Sequence, residues 1–520
     1  MNVKRTLVIG LELGDGELIH AWAQAGELPA IQALMKRGTW GWLETSADVL
    51  HISAWPTLYT GAAPGDHGVY FTFQPAPGLQ GYQRFHEGLY GRPTLWKLAD
   101  AAGRRTVVLD PPYAHAETGF NGTLIYDWGS WAHYLKPGSV PPAALPQLEK
   151  ACGGYPLGME ANDLGWGALD ARKTRDQLLI AIRAKTQATR WLMQQGSWDL
   201  LFSVFGETHV AGHYCLNREG RTPADQPLML EIYRELDRAI GELVAAAGED
   251  TGVIVLSGDR VAPNHAGWHL LPAILAKLGL LSDGSQPPPA PAAGIAAGTG
   301  VGSEAAPAAK RSRDPVKMLR DLLPKNFRKS LARMLPTALR DQLAKRVDTA
   351  DMDWSRTRVY WLPTDLEGYL RVNLRGREPQ GIVQPGAEYE RILDELTAAL
   401  RELRDPATGE SIVADVIRTD QAFPGAKRDW LPDLIVRWNG ARPITAAQSA
   451  RIGTVSAPSP DTRPGTHTGP GFVLAAGSGI AAQARLEGGH ILDFAPTLLQ
   501  RLAVTVPADM RGRVWPQLVE

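Results

Sequence analysis

The chain alternates short apolar, β-branched runs with longer segments of helical periodicity, and this alternation limits the fold more than any other feature. The strand-like runs are residues 6–11, 106–110, 200–205, 252–257 and 472–475. The helical segments are residues 28–36, 174–194, 228–247, 272–278 and 388–403. Strands that are apolar on both faces are typical of a parallel sheet covered by helices. The sequence therefore predicts an α/β fold in which a mostly parallel sheet is sandwiched by helices.

The composition changes after residue 282. From there to about residue 309 the chain is rich in Pro, Ala and Gly, which favours a linker, and residues 310–346 are basic with spaced Leu and Met, which predicts amphipathic helices. We therefore predict a core formed by residues 1–282 and 351–520, interrupted at 283–350 by a linker and a small basic helical insert. The insert is interpreted first as a solvated piece of structure and second as a lid or partner surface.

Charge and cysteine content exclude several classes of protein. The 54 basic and 55 acidic side chains nearly cancel, so no electrostatic footprint for nucleic acid or an anionic membrane is present. The two cysteines, Cys152 and Cys215, lack metal or redox spacing, which suits a reducing compartment. The apolar run at 6–11 is too short for a signal peptide, and no stretch is long enough to span a bilayer. We expect a cytoplasmic protein with no membrane partner, and a homo-oligomer is compatible with the sequence.

Chemistry-bearing residues gather after the predicted strands. Glu12 follows the first strand, at the edge where open α/β sheets bind ligands. Further on, Ala54-Trp55, Thr60-Gly61 and the Pro-x-x-His-Gly block at 64–68 occur in this order. With later blocks at 206–213, 257–260, 465–467 and 493–497, this order resembles the type I phosphodiesterase/nucleotide pyrophosphatase branch of the alkaline phosphatase superfamily. The resemblance covers nearly the whole chain outside the linker and insert, and it implies an alkaline-phosphatase-like fold.

The resemblance also exposes altered positions. The family binds two metal ions with acids and histidines and uses a Ser or Thr nucleophile at a helix amino terminus. Five of these positions differ here, at Glu12 for Asp, His51 for the Ser/Thr nucleophile, His209 for Asp, Gly258 for Asp and Asp259 for His. Two family histidines are kept, as His213 and His467. Four of the five replacements exchange one ligand type for another, which indicates a site that is re-ligated rather than erased.

By this resemblance one metal pocket would hold His209, His213 and His467, and the other Glu12, His51 and Asp259. The ions expected are Zn, Mn or Fe, one or two in number. The i, i+4 spacing of His209 and His213 would align both rings if their segment is helical. Ordinary hydrogen-bonded histidines and solvated acids are the alternative interpretation.

Two residues are candidates for a catalytic role. His51 is open to three interpretations: a metal ligand, a nucleophile that forms phosphohistidine, or a residue that caps a helix. Arg260 takes the place of a family glycine, and its guanidinium is a candidate for pairing with an anionic substrate, although an isolated Arg is more often structural.

Three functions stay open from sequence alone. The first is a metal-dependent hydrolase, phosphodiesterase- or phosphatase-like, in which metal-bound hydroxide replaces the missing hydroxyl and attacks a small anionic, phosphate-type ester. The second is a redox or oxygen-activating metalloenzyme, because a histidine-rich set also suits Fe, Cu and Mn. The third is a catalytically silent protein that retains the fold. Two of these three functions are enzymatic and the third is not, so the sequence alone does not decide whether the protein is an enzyme.

Overall fold

The computed structural model describes residues 3–71, 73–75, 83–84, 89–129, 137–157, 170–220, 222–282, 352–362, 364 and 366–520. The chain forms two compact units, which are Met1–Tyr70, His86–Asn264 and Asp461–Glu520 in the first and Phe71–Phe85 and His265–Pro460 in the second. The linker and basic insert expected at 283–350 lie outside the described residues, so their boundaries stay a prediction.

Nineteen strands are formed by the described residues. They are β1 (Thr6–Leu11), β2 (Thr39–Glu44), β3 (Phe73–Gln74), β4 (Gln83–Arg84), β5 (Thr106–Leu109), β6 (Thr123–Tyr126), β7 (Gly138–Val140), β8 (Leu200–Phe205), β9 (Gly252–Ser257), β10 (Arg260–Pro263), β11 (Val359–Leu362), β12 (Gly368–Val372), β13 (Val413–Arg418), β14 (Leu434–Trp438), β15 (Ala446–Ser449), β16 (Gly453–Ser456), β17 (Gly465–Thr468), β18 (Gly471–Gly477) and β19 (Ala484–His490).

The α-helices of the described chain are α1 (Gly16–Gln24), α2 (Pro29–Arg37), α3 (Ala54–Thr60), α4 (Pro64–His67), α5 (Leu95–Ala101), α6 (Ala144–Cys152), α7 (Ala171–Gln194), α8 (Glu207–Cys215), α9 (Pro227–Ala247), α10 (Leu271–Lys277), α11 (Ala387–Arg401), α12 (Thr419–Ala422) and α13 (Phe494–Arg501). Local chemistry sets several helix starts. Asp15 accepts a hydrogen bond from the Leu18 N–H at the start of α1, and Asp170 accepts from two backbone N–H groups at the start of α7. No helix in the described ranges is long and apolar enough to cross a membrane.

A nine-stranded sheet organises the first unit, in the order β19-β2-β18-β9-β1-β8-β5-β6-β7. β1 lies between β8 and β9 and pairs with both in parallel, and all six of its residues are buried, as its apolar sequence predicts. β18 runs antiparallel to both of its neighbours, β2 and β9, and β7 runs antiparallel to β6. The sheet is therefore mostly parallel, and the predicted α/β fold is confirmed.

Helices pack on this sheet through apolar side chains. The core of the first unit combines Leu7, Ile9 and Leu11 of β1 with buried residues of α1, α2, α7 and α9. The long helices α7 and α9 agree with the segments predicted at 174–194 and 228–247 to within three residues at each end.

The second unit is built differently. A four-stranded antiparallel sheet, in the order β11-β12-β14-β13, packs with α10 and α11 over a core of its own. The helix predicted at 388–403 is α11, and it belongs to this unit rather than to the unit of the parallel sheet. No strand was predicted in this region, because strands such as β12 and β13 contain charged residues and lack a continuous apolar run.

Candidate metal centre

The carboxyl edge of the parallel strands brings together the predicted site residues of the first unit. Glu12 directly follows β1, α8 begins two residues after β8, and Asp259 comes two residues after β9. Because β1 pairs with both β8 and β9, their three carboxyl ends are adjacent. This is the edge of the sheet at which the sequence predicts a ligand site.

His209 and His213 lie on the short, wholly buried helix α8. Their ring centroids are 4.5 Å apart, as expected for residues one helical turn apart. The helical conformation inferred from their spacing is confirmed.

His467 reaches the same place from β17, which forms an antiparallel hairpin with β10. Its ring centroid lies 4.9 Å from that of His209 and 5.1 Å from that of His213. One nitrogen of each ring lies within 4.8 Å of the others, and all three residues are buried. Hence three imidazoles from two distant parts of the sequence converge on one point, and we call this group the histidine cluster.

Hydrogen bonds determine which nitrogen of two rings is available. His213 Nδ1 lies 2.8 Å from the carbonyl oxygen of Gly465, which can only accept, so Nδ1 carries the proton. His467 Nδ1 lies 2.6 Å from Asp259 Oδ2. The other nitrogen of His467, Nε2, is buried without a hydrogen-bond partner among the described residues. A buried acceptor nitrogen in this state fits a metal ligand.

The environment favours a neutral ring at His209. Burial lowers the pKa of His209 well below its usual 6.5, and the neighbouring His213 and His467, the Arg463 guanidinium and His51 lower it further. Neutral imidazole is the form that coordinates a metal ion.

A close backbone approach brings α8 and β17 together. A Cβ added to Gly465 would lie 2.0 Å from the carbonyl oxygen of Gly212, which is in α8 between the two histidines. Only glycine at position 465 permits this approach without movement of the backbone. The hydrogen bond between His213 and Gly465 depends on the same contact.

The remaining predicted residues surround the cluster. Glu12 Oε1 lies 3.5 Å from His209 Nδ1, and the ring centroid of His51 lies 4.6 Å from that of His467. Asp259 contacts His467 as described. Within the described part of the chain, Glu12, His51 and Asp259 do not form a second group of three converging ligand atoms.

Arg260 has partners of its own. Its Nε donates to the Gly469 carbonyl at 2.8 Å, and its Nη1 lies 2.5 Å from Glu17 Oε2. It is not a member of the histidine cluster, and its role toward an anionic substrate stays a prediction.

Four residues near the cluster were given no role from the sequence alone. Arg463 forms a buried bidentate pair with Asp461, at 2.9 and 2.7 Å, shortly before β17, and Gly212 and Gly465 set the helix-to-strand distance. The position of a glycine one residue before His213 and two residues before His467 was the available signal, because a glycine close to a ligand indicates close backbone approach.

Comparison with known proteins identifies the family. The model for type I phosphodiesterase/nucleotide pyrophosphatase matches residues 6–264, a range that contains every predicted site residue except His467. The chain belongs to this family. No curated protein matches the sequence.

Solved structures of the alkaline phosphatase superfamily share the fold of this family member. Murine ectonucleotide pyrophosphatase/phosphodiesterase 5, as an inactive variant in complex with AMP, aligns with a TM-score of 0.51 at 12% identity, over 99% of this chain and 100% of that chain. Phosphonoacetate hydrolase from Sinorhizobium meliloti 1021, in complex with phosphonoformate, aligns with a TM-score of 0.51 at 11% identity, over 96% of each chain. At these identities the likeness supports the fold alone.

Proposed function

We propose that the protein is a metal-dependent hydrolase of small anionic, phosphate-type esters, and that His209, His213 and His467 hold the ion. The convergence of three buried imidazole nitrogens within 4.8 Å carries this proposal. The family model and the superfamily relatives support the substrate class, because the relatives have AMP or phosphonoformate bound.

The histidine cluster fits a catalytic ion. Three histidines with a fourth position open to water or substrate are a common catalytic zinc arrangement. A Zn²⁺, Mn²⁺ or Fe²⁺ ion held there would supply an activated water near neutral pH and a Lewis acid for the ester oxygen. This chemistry needs no side-chain hydroxyl, which agrees with histidine rather than Ser or Thr at position 51.

The chain's own residues have separable tasks in this proposal. The three imidazoles bind the ion, and the hydrogen bond from His213 to Gly465 orients one of them. Glu12, at 3.5 Å from His209, is positioned to orient that ring or to contribute an oxygen ligand. Burial of the cluster excludes bulk water and strengthens its electrostatic interactions with an anionic substrate.

Metal content and turnover test the proposal together. We expect elemental analysis of protein purified without added metal to find a bound ion, and hydrolysis of an aryl phosphate or phosphodiester to depend on it. His209→Ala, His213→Ala and His467→Ala should each lose both, whereas His20→Ala, a half-buried histidine of α1 outside the cluster, should lose neither. Equal metal content in the wild type and all three cluster variants contradicts the assignment.

A redox function is the second candidate. The histidine cluster consists of three imidazoles with no carboxylate or thiolate, a set that suits Fe, Cu or Mn as well as Zn. Bound iron or copper with oxygen consumption, and no ester turnover, would favour this candidate. Protein that binds no metal and has no turnover would indicate a silent member of the family.

A further inference from the structure

Asp259 occupies a family metal-ligand position, yet both of its oxygens are used by the protein. Oδ1 accepts hydrogen bonds from the Leu13 N–H at 3.0 Å and from the Ser257 hydroxyl at 3.2 Å. Oδ2 lies 2.6 Å from His467 Nδ1. The residue is 2% exposed, so these contacts are not shared with bulk water.

We propose that Asp259 is a positioning residue and not a metal ligand. Its carboxylate holds His467 in the tautomer with the proton on Nδ1 and so directs the Nε2 lone pair toward the ion. This inference rests on the proposed metal site.

The chemistry of the two groups supports this assignment. An ionised carboxylate only accepts hydrogen bonds, so the short contact requires that His467 Nδ1 donates. The buried Nε2 then has a lone pair that accepts no hydrogen bond from the described residues, on the side of the ring away from Asp259. Metal-binding histidines commonly donate their second N–H to a carboxylate or a carbonyl, which fixes the ring and raises its basicity.

The same arrangement recurs at the second imidazole. Gly465 accepts from His213 Nδ1 through its carbonyl, and this glycine lies two residues before His467 on β17. Two of the three rings are thus fixed with the proton on Nδ1, one by a backbone carbonyl and one by a side chain. With Asp259 assigned to His467, the structure favours a single ion at the histidine cluster.

Asp259→Asn is the most informative variant because it preserves shape and changes only hydrogen bonding. The amide oxygen still accepts from Leu13 N–H, which places the amide NH₂ against His467 Nδ1. An NH₂ group only donates, so the ring must move its proton to Nε2, where it blocks coordination. The reverse amide orientation would set NH₂ against the Leu13 N–H and is disfavoured.

Two measurements test the proposal. In metal-free protein, ¹⁵N chemical shifts of the His467 ring, assigned through the resonance lost in His467→Gln, should report a protonated Nδ1 in the wild type and a protonated Nε2 in Asp259→Asn. Zinc affinity should fall about 10- to 100-fold in Asp259→Asn, with one ion still bound at saturation. Asp237→Asn, an equally buried acid that accepts two backbone N–H groups at α2, is the matched control and should change neither measurement.

The outcomes separate this inference from the proposed function. A wild-type ring protonated on Nε2, or an unchanged tautomer and affinity in Asp259→Asn, overturns the positioning role. Failure of the wild type to bind any metal overturns the proposed function. The tautomer measured without metal still decides what Asp259 does to His467.

Discussion

Gly465 has no side chain, and this allows the ligand-bearing helix α8 and strand β17 to approach each other closely. Gly465 faces the Gly212 carbonyl so closely that an added methyl group would overlap it. We expect Gly465→Ala to displace β17 from α8, to lower the free energy of unfolding by about 1–3 kcal/mol and to weaken metal binding. Thermal unfolding and zinc titration measure the two effects.

Gly154→Ala is the control for this substitution. Gly154 lies in the same unit, and nothing lies within 4 Å of a Cβ added there, so both measurements should match the wild type. Wild-type zinc affinity in Gly465→Ala would contradict the role given to the close approach.

At the scale of elements, a buried ion pair in the second unit joins the loop after β12 to the residue that precedes β14. Arg377 forms a bidentate pair with Asp433, with both distances 2.7 Å, and the Tyr389 hydroxyl donates to the same carboxylate. Burial alone would raise the pKa of Asp433, but the Arg377 and Arg371 guanidinium groups and the Val372 N–H together outweigh it and lower this pKa from 3.8 to about 2.

This lowered pKa predicts acid sensitivity. A carboxyl group with a lower pKa in the folded state stabilises the fold above its unfolded pKa, and that contribution is lost as pH falls from 3.8 toward about 2. The contribution is about 2 kcal/mol. Urea unfolding at neutral pH and at about pH 3 should show that acid lowers the free energy of unfolding more in the wild type than in Asp433→Asn.

The surface pair of Arg428 and Asp429 provides the comparison. It is exposed, with a distance of 3.0 Å, and Asp429→Asn should keep the wild-type acid response. An Asp433→Asn protein that loses as much stability in acid as the wild type would refute the role of this carboxylate.

For the whole molecule, we expect metal binding to raise the free energy of unfolding. An ion that binds only the folded state at about 100 times its Kd adds about 2.7 kcal/mol. We expect zinc to raise the midpoint of thermal unfolding, a chelator to reverse the rise, and His467→Ala to abolish it. An equal rise in His467→Ala would place the stabilising ion elsewhere.

Much of the fold could be predicted from sequence because burial leaves a pattern. The runs at 6–11, 200–205 and 252–257 coincide with β1, β8 and β9. The run at 472–475 was correctly predicted as a strand, but its antiparallel direction was not predicted, since both directions bury the same side chains. The separate sheet of the second unit was missed for a different reason. Its strands β12, β13 and β14 each contain a charged residue and so lack the continuous apolar run by which the other strands were predicted.

The candidate site could be predicted in part. The spacing of His209 and His213 predicts that their rings align on one helical face. The family blocks predict that His467 belongs to the same site. Whether Asp259 binds an ion or accepts a hydrogen bond depends on its 2.6 Å contact with His467, a geometry that residue type does not determine. The pair of Asp461 and Arg463 was missed because neither residue falls in a block that the sequence comparison used.

The place of β18 has a consequence for biosynthesis. This strand is made late, from residues 471–477, yet it separates β2 from β9, which are made early. While the nascent chain lengthens, the facing edges of β2 and β9 have no partner, and open edges promote aggregation. Because His467 precedes β18 by only a few residues, the segment that closes the sheet also delivers the third imidazole, so the nascent protein acquires both at the same stage of its translation.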